Sequence, residues 1–362
     1  SLSVAKRLPW RNVVEVGYVG TWGRNLVAHM QQNVLQPGHL YNSYSTNPLL
    51  LAALDGNVYD SFKPYPTLSN VRYPRYVGVS DYHSLQATLA RQSGNFTYLV
   101  AYTFSQAQGT VATDFQALDP IGDYGTRNYG ILRTDRTHIL NLSWTWRLGA
   151  PANGGLGAAL LNDWNLTGIS TWIGGQPWRA VYGGDLGTPE MANAWNGTHD
   201  YAFGPPTPGN IPVVYDCDPA TGATEVGESI WDVGCLGIPA YQEQGPPYPP
   251  FAMRLPSRTF HDLTIFKDFP LGGSKRLQLR IGFFNIFNQA FADMTNNHDV
   301  DTALETDCNV RVSGVPTGAG GAVTACDPTR GFVFRENTLA NYGKIITKHG
   351  HRSIELGVRF FF

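Results

Sequence analysis

Apolar and polar residues alternate along the last nine positions of the chain. Ile354, Leu356, Val358, Phe360 and Phe362 fall on one side of an extended strand, and the positions between them are mostly polar or small. Side chains of a strand repeat their direction every two residues, so one face is apolar. A strand between lipid and a polar lumen needs this pattern. The alternative from this stretch alone is a buried last strand of a soluble sandwich.

The same two-residue period predicts eight further strands. They cover residues 1–7, 13–19, 83–91, 96–105, 135–147, 164–173, 259–267 and 277–283. The clearest hairpin joins the third and fourth of these through Gln92–Asn95, a turn-forming sequence. In the strand at 164–173 both faces carry apolar residues, so its lipid face is not assigned.

The connections between these strands are alternately short and long. Residues 8–12, 92–95, 148–161 and 268–274 form short turns, whereas 21–75, 106–134, 183–257 and 289–350 form long connections. Outer-membrane barrels have short periplasmic turns and long extracellular loops. The pattern therefore predicts an all-β, transmembrane, antiparallel barrel wall of about nine strands with meander topology. Its last residue, Phe362, lies at the periplasmic side.

Strict alternation with polar neighbours also predicts which residues face lipid. This predicted lipid-facing set comprises Val14, Val16, Leu85, Leu89, Tyr98, Val100, Leu140, Leu142, Leu277, Leu279, Leu356 and Val358.

The composition agrees with a β-barrel and argues against a helical membrane protein and against a nucleic-acid-binding protein. Charged residues make up 15% of the 362 residues and aromatic residues 12%. The chain has no run of 18 apolar residues, so no transmembrane helix is expected. A formal net charge of −2 gives no sign of a nucleic-acid partner.

Several short motifs, in their order along the chain, carry a resemblance to a known family. They are VEVGYVG at 14–20, GRNL at 23–26, YHSLQ at 82–86, AYTFS at 101–105, DRTH at 135–138, STWIGGQP at 170–177, FNIFNQ at 284–289 and LGVRFFF at 356–362. The chain resembles the C-terminal barrel region of TonB-dependent outer-membrane receptors. It is most similar to the subgroup with an N-terminal carboxypeptidase-regulatory-like domain.

This resemblance implies a 22-stranded barrel, closed by a plug domain, that takes up a large, scarce solute with energy from the TonB complex. The chain departs from that plan because it shows neither a plug nor a TonB-contacting segment. It begins Ser1-Leu2 without Met or a signal peptide. We therefore expect residues 1–362 to be the C-terminal portion of such a barrel, with earlier strands absent. The sheet should be open, without a ladder between its first and last strands.

The resemblance also suggests partners and rival functions. The five apolar positions from Ile354 to Phe362 resemble the C-terminal insertion signal that the barrel-assembly machinery reads, and outer-membrane lipid is the expected surroundings. A non-transporting adhesion barrel and a diffusion porin are the alternatives. The transported solute cannot be read from the sequence.

Four cysteines suggest two disulfides in the loops. Cys217 and Cys235 fall in one predicted long loop, and Cys308 and Cys326 fall in another. An oxidising exterior favours disulfides, and four cysteines allow three pairings. We predict Cys217–Cys235 and Cys308–Cys326, because the other pairings need two long loops to meet. A four-thiolate zinc site is the alternative, although the close cysteine spacing usual for such sites is missing.

No catalytic constellation, resident metal site or cofactor motif is evident, and we expect no enzyme. His349 and His351 form a weak metal-binding pair, and a group of loop carboxylates between Asp299 and Asp307 is a weak calcium candidate. Ordinary polar loops explain both. The long connections also hold many aromatic residues. Stacking against a bound sugar or siderophore and packing of the loops against each other explain these residues equally well. These are Tyr41, Tyr44, Tyr59, Tyr65, Trp178, Tyr182, Trp195, Tyr201, Trp231, Tyr241 and Tyr248.

Overall fold

A computed structural model describes most of the chain. The described residues are 1–33, 64–66, 68, 71–111, 116–117, 128–178, 180, 213–238, 253–273, 275–293, 299–316 and 320–362. Among them, no helix has the length and apolar character needed to cross a membrane.

Nine long strands form one sheet, and each pairs with the next along the chain. They are β1 (Leu2–Leu8), β2 (Asn12–Gln31), β3 (Arg72–Arg91), β4 (Phe96–Gly109), β5 (His138–Arg147), β6 (Trp164–Ile173), β7 (Arg258–Gly272), β8 (Lys275–Phe284) and β9 (Ser353–Phe361). All eight pairings are antiparallel. The meander predicted from alternation is therefore present, and we call this sheet the wall.

β2, β3 and β4 extend further into the long connections than the sequence analysis predicted. β2 continues to Gln31 and pairs with β3 from Arg72 onward, although 21–75 had been interpreted as a connection. Within β2, the register shifts between Gly23 and Leu26, and Asn25 adopts a left-handed backbone with φ of 56°. Such a bulge bends and twists a strand without ending it.

The turn predicted at 268–274 is also shorter than expected. β7 runs through Pro270 to Gly272, with an irregularity where the register passes Pro270. β5, in contrast, begins at His138 rather than at Asp135, because the side chain of Asp135 bonds to other segments. The four short connections lie at one end of the wall and the long ones at the other, as antiparallel order requires.

The wall is not closed within the described residues. β1 pairs only with β2, and β9 pairs only with β8. No ladder joins β1 to β9 in this part of the chain, as the sequence analysis expected. The 22-strand size of a complete barrel stays a prediction.

Small elements occupy the connections. Two-stranded ladders join Val214–Tyr215 to Leu236–Gly237, Pro177–Trp178 to Met253–Arg254, Thr306–Cys308 to Phe332–Phe334, and Arg311–Pro316 to Ala322–Cys326. Gln116–Ala117 pairs with β2, and Gly130–Ile131 pairs with β4. Short helices span Gly155–Leu161 and Glu336–Asn341, and 3-10 turns span Pro9–Arg11, Val233–Cys235 and Pro328–Arg330.

Candidate functional site: a two-faced wall and a loop cap

Cross-strand register gathers the predicted lipid-facing residues on one face. Residues directly opposite each other in an antiparallel pair point to the same side. Leu89 lies opposite both Val14 and Val100, and Val100 lies opposite Leu142. On the other half of the wall, Leu279 lies opposite Val358. All twelve members of the set fall on this side, which we call the apolar face.

The register also assigns β6, whose faces could not be told apart from the sequence. Leu166 lies opposite Trp146 and Ile265, and so belongs to the apolar face. Gly168 lies on the same face beneath Trp144. A Cβ built on Gly168 would lie 2.4 Å from the Trp144 ring, so the large ring covers the position that glycine leaves free. The inward apolar residues of β6, such as Ile169, are what obscured the pattern.

The opposite face carries several hydrogen-bonded polar pairs. Thr145 and Thr167 bond hydroxyl to hydroxyl at 3.3 Å, and the Thr171 hydroxyl donates to the Asn141 side-chain oxygen at 3.0 Å. On β8, the Gln278 amide donates to Asp268 at 3.0 Å. Polar side chains that satisfy one another in this way suit a surface in contact with water. We call it the polar face.

Aromatic residues concentrate at the short-turn end of the apolar face. Phe96, Tyr98, Leu142, Trp144 and Trp146 line a groove of about 510 Å³. Farther along, the Lys267 ammonium lies over the rings of Trp164 and Phe269, at 5.5 and 5.0 Å from their centroids, and donates to the Asn162 carbonyl. Amphipathic rings and a lysine reaching toward backbone oxygen are typical of a membrane interface.

Of the five residues resembling an insertion signal, four form the apolar side of β9 and Phe362 directly follows the strand. Leu356, Val358 and Phe360 lie opposite Ile281, Leu279 and Leu277. They remain strongly exposed, and Phe362 reaches 91% exposure. The Phe360 and Phe362 rings stack with centroids 6.1 Å apart. The strand geometry agrees with the alternation on which the insertion-signal hypothesis depends, although it does not test recognition by an assembly factor.

Two loops at the other end of the wall are closed by disulfides. Cys217 bonds to Cys235 with a Cα separation of 4.8 Å, and Cys308 bonds to Cys326 with a Cα separation of 5.7 Å. These are the two pairings predicted from the sequence. A zinc site would need four thiolates, whereas here each sulfur is bonded to another.

The two loops fold together around a shared apolar core, which we call the loop cap. Its largest fully buried side chains are Trp231, Met253, Leu304 and Ile345. They come from the connection between β6 and β7 and from the connection between β8 and β9. Trp178 stacks on Trp231 at 6.1 Å and an interplanar angle of 15°. Trp178 and Trp231, for which ligand stacking and loop packing were equal alternatives, therefore pack the cap.

Backbone hydrogen bonds join the two loops within the cap. The amide of Ile230 donates to Gly343 at 2.8 Å, and the amide of Ile345 donates to Glu228 at 2.9 Å. At Gly343, with φ of 77°, an added Cβ would lie 3.0 Å from the Trp231 nitrogen. Glycine at this position permits both the left-handed backbone and the close approach of the loops. Tyr342 beside it is 2% exposed, and burial raises the pKa of its hydroxyl.

Charged residues link the rim of the wall to the cap. Asp135 is 1% exposed and accepts hydrogen bonds from the Ala107 amide at 2.6 Å and from the Arg254 guanidinium at 2.5 Å. Arg136 donates to the side-chain oxygen of Gln176 at 3.1 Å. Burial, and then the charges of Arg258 and Arg254, lowers the pKa of Arg136.

The sequence analysis did not identify this rim cluster as a site. DRTH at 135–138 was noted only as part of a resemblance. The partner of Asp135 is Arg254, 119 residues farther along the chain. The two segments meet because Gly175 packs against Leu255, so closely that an added Cβ would lie 1.6 Å from the Leu255 carbonyl oxygen. No local sequence pattern predicts such a long-range contact.

The weak metal candidates have ordinary partners. His349 bonds through Nε2 to Asp299 at 2.7 Å. Hydrogen bonding from Arg311 lowers the pKa of Asp307. Among the described residues, no group of three or more His, Cys, Asp or Glu side chains could hold a metal ion. The loop aromatics Tyr41, Tyr44, Tyr59, Tyr182, Trp195, Tyr201, Tyr241 and Tyr248 lie outside the described residues.

A protein family and a solved structure match this chain. Residues 1–321 match the sequence model of a family described as "Outer membrane beta barrel domain". A solved structure of the outer membrane transporter YddB from Escherichia coli aligns with a TM-score of 0.40 and 7% sequence identity. The alignment covers 92% of this chain and 30% of the transporter. A search of curated proteins found no match.

Proposed function

The chain belongs to the outer membrane beta barrel domain family and resides in the bacterial outer membrane, and from this premise we propose that it forms part of the wall of a TonB-dependent receptor. In this proposal the apolar face meets lipid and the polar face lines the lumen. The loop cap lies on the extracellular side. The protein takes up a scarce, large solute and has no enzymatic role. Its partners are membrane lipid, the assembly machinery, the solute and the TonB complex.

The loop cap is the observation that carries this proposal. Each of the two long connections that form the cap has its own disulfide, and the two share a buried core and direct backbone hydrogen bonds. Ordering so many loop residues costs conformational entropy, and the buried core with its disulfides offsets that cost. A solute receptor needs such a preorganised outer surface, because a preformed site lowers the cost of binding.

A diffusion porin and an adhesion barrel make different predictions for the full-length protein. A porin conducts ions whenever it is inserted, whereas a plugged receptor stays closed. A TonB-dependent receptor binds the periplasmic domain of TonB, which neither alternative needs. An adhesion barrel neither conducts nor binds TonB.

We therefore expect the purified full-length protein to show no open-channel steps in planar bilayers and to bind the isolated TonB periplasmic domain. A matched control carries a deletion of the segment that contacts TonB. Stable conductance without TonB binding would support the porin. Absence of both properties would support the adhesion barrel and overturn the transport proposal.

A further inference from the structure

Three histidines occupy equivalent places on the apolar face. His83 of β3 lies opposite Gly20, His138 of β5 lies opposite Phe104, and His261 of β7 lies opposite Ser170. The strands that carry them all run from a long connection toward a short turn. A histidine on a lipid-directed face is unexpected, because ionisable side chains are costly there unless they have a role.

Each imidazole is held in the same way. Nδ1 of His83 bonds to the Tyr18 hydroxyl at 2.5 Å, and Nδ1 of His138 bonds to the Tyr102 hydroxyl at 2.8 Å. Nδ1 of His261 bonds to the Ser170 hydroxyl at 2.9 Å. Within the described residues, Nε2 of these three rings has no hydrogen-bond partner. Three strands thus present the same unused nitrogen.

The three histidines also stand at a similar height on the wall. They lie eight, nine and eleven residues before the short-turn ends of their strands at Arg91, Arg147 and Gly272. With a rise of about 3.3 Å per residue and a tilt of about 40°, they stand roughly 20–28 Å above that end. The apolar band of an outer-membrane barrel is about 25 Å tall. The histidines therefore lie at the extracellular interface of the membrane.

Aromatic rings surround each imidazole. Trp22 lies edge-on to His83 with centroids 5.5 Å apart, and Phe104 lies 5.3 Å from His138. Trp172 and Phe287 lie 4.9 and 5.1 Å from His261. Aromatic rings of this kind favour the depth of lipid headgroups. These contacts pack each imidazole against neighbouring aromatic rings.

We propose that His83, His138 and His261 bind headgroup phosphates of lipids in the outer leaflet. When a hydroxyl donates to Nδ1, a neutral imidazole carries its proton on Nε2 and donates from there. A hydrogen bond from this N–H to a phosphate oxygen is charge-assisted and therefore strong. The occupant is a membrane lipid because the three sites are continuous with the apolar face and lie about one apolar thickness above the short turns.

The test uses the full-length protein refolded into vesicles that contain either lipid A, a phosphorylated glycolipid, or an uncharged glycolipid. The triple variant H83F/H138F/H261F keeps an aromatic ring at each position but removes Nε2. We expect lipid A to raise the unfolding temperature of the natural protein and this rise to disappear in the triple variant. Both proteins should behave alike in the uncharged lipid. H351F, which alters an exposed histidine beyond the wall, is the control and keeps the rise.

A full lipid A-dependent rise in the triple variant would overturn the proposal. If the triple variant does not assemble, the three single variants decide. Each should lose part of the rise in lipid A and none in the uncharged lipid. Single variants that all retain the full rise would also overturn it. Native mass spectrometry gives a second readout, in which the natural protein retains more bound lipid A than the variants.

Discussion

Replacing Val100 with arginine tests which side of the wall meets lipid. Val100 lies in β4 between Leu89 and Leu142 on the apolar face. It is four residues from the start of its strand at Phe96. At about 3.3 Å per residue and a tilt of about 40°, it stands roughly 10 Å above the short turns. Measured from the short turns, this height lies within an apolar band of about 25 Å.

Its neighbour Leu99 offers a matched control on the polar face. Leu99 lies between Ala90 and Ser143 and is 44% exposed. An arginine near the bilayer middle costs about 2–4 kcal/mol. A surface substitution usually changes stability by no more than about 0.5 kcal/mol. Arg91 and Arg147 line the same groove as Leu99, so charge repulsion adds a modest cost to Leu99→Arg.

The measurement is reversible denaturant unfolding of the full-length protein in lipid vesicles. Val100→Arg should lower the free energy of unfolding by about 3 kcal/mol, which is more than a hundredfold in the equilibrium constant. Leu99→Arg should lower it by less than about 1 kcal/mol. Equal losses in the two variants would refute a two-faced membrane wall. A larger loss in Leu99→Arg would mean that the faces are reversed.

Three further predictions concern the end of the chain and the loop cap. Deleting Phe362 should reduce assembly of the full-length protein, because it shortens the apolar side of β9, and unchanged heat-modifiable gel mobility would contradict this. Replacing Cys308 and Cys326 by serine should destabilise the cap by about 3 kcal/mol, so proteases should cleave it faster on intact cells; an unchanged cleavage rate would count against a stapled cap. Because burial raises the pKa of Tyr342, its contribution to stability is complete below the ordinary value near 10 and is lost as pH rises toward the folded value. Near-ultraviolet circular dichroism should therefore show alkaline loss of cap structure, which Tyr342→Phe shifts to higher pH, and identical transitions would argue against a buried hydroxyl.

Alternation was sufficient to predict strands where one face is apolar and the other polar. β4 is the clearest case, because Tyr98, Tyr102 and Phe104 alternate with Thr97, Thr103 and Ser105. Alternation did not identify the lipid face of β6, because both faces of that strand carry apolar residues. In β6, Leu166 and Ile169 are distinguished only by the residues that lie opposite them on the neighbouring strands. Those cross-strand pairs join segments that are far apart in the sequence. The predicted end of the second strand was also wrong, because β2 passes Gly23 with a bulge and continues to Gln31.

The shared core of the loop cap could not be predicted from the sequence, for a different physical reason. Shared loops and an oxidising compartment were enough to predict the disulfide pairs, since each closes a short segment. The core, however, forms between segments more than a hundred residues apart, such as Trp231 and Tyr342. The rim pair of Asp135 and Arg254 depends on the same kind of contact. Likewise, the three interface histidines become comparable only when the cross-strand register is known.

The shared core of the loop cap has a consequence for how such surfaces diversify. The loop after β6 supplies Trp231 and Met253, while the loop after β8 supplies Leu304 and Ile345. A recombination event that exchanges only one of these loops leaves the other with a cavity or a clash, since packed interiors tolerate neither. We therefore expect the two loops to be exchangeable only together. A chimera engineered for a new surface specificity needs both of them from the same donor.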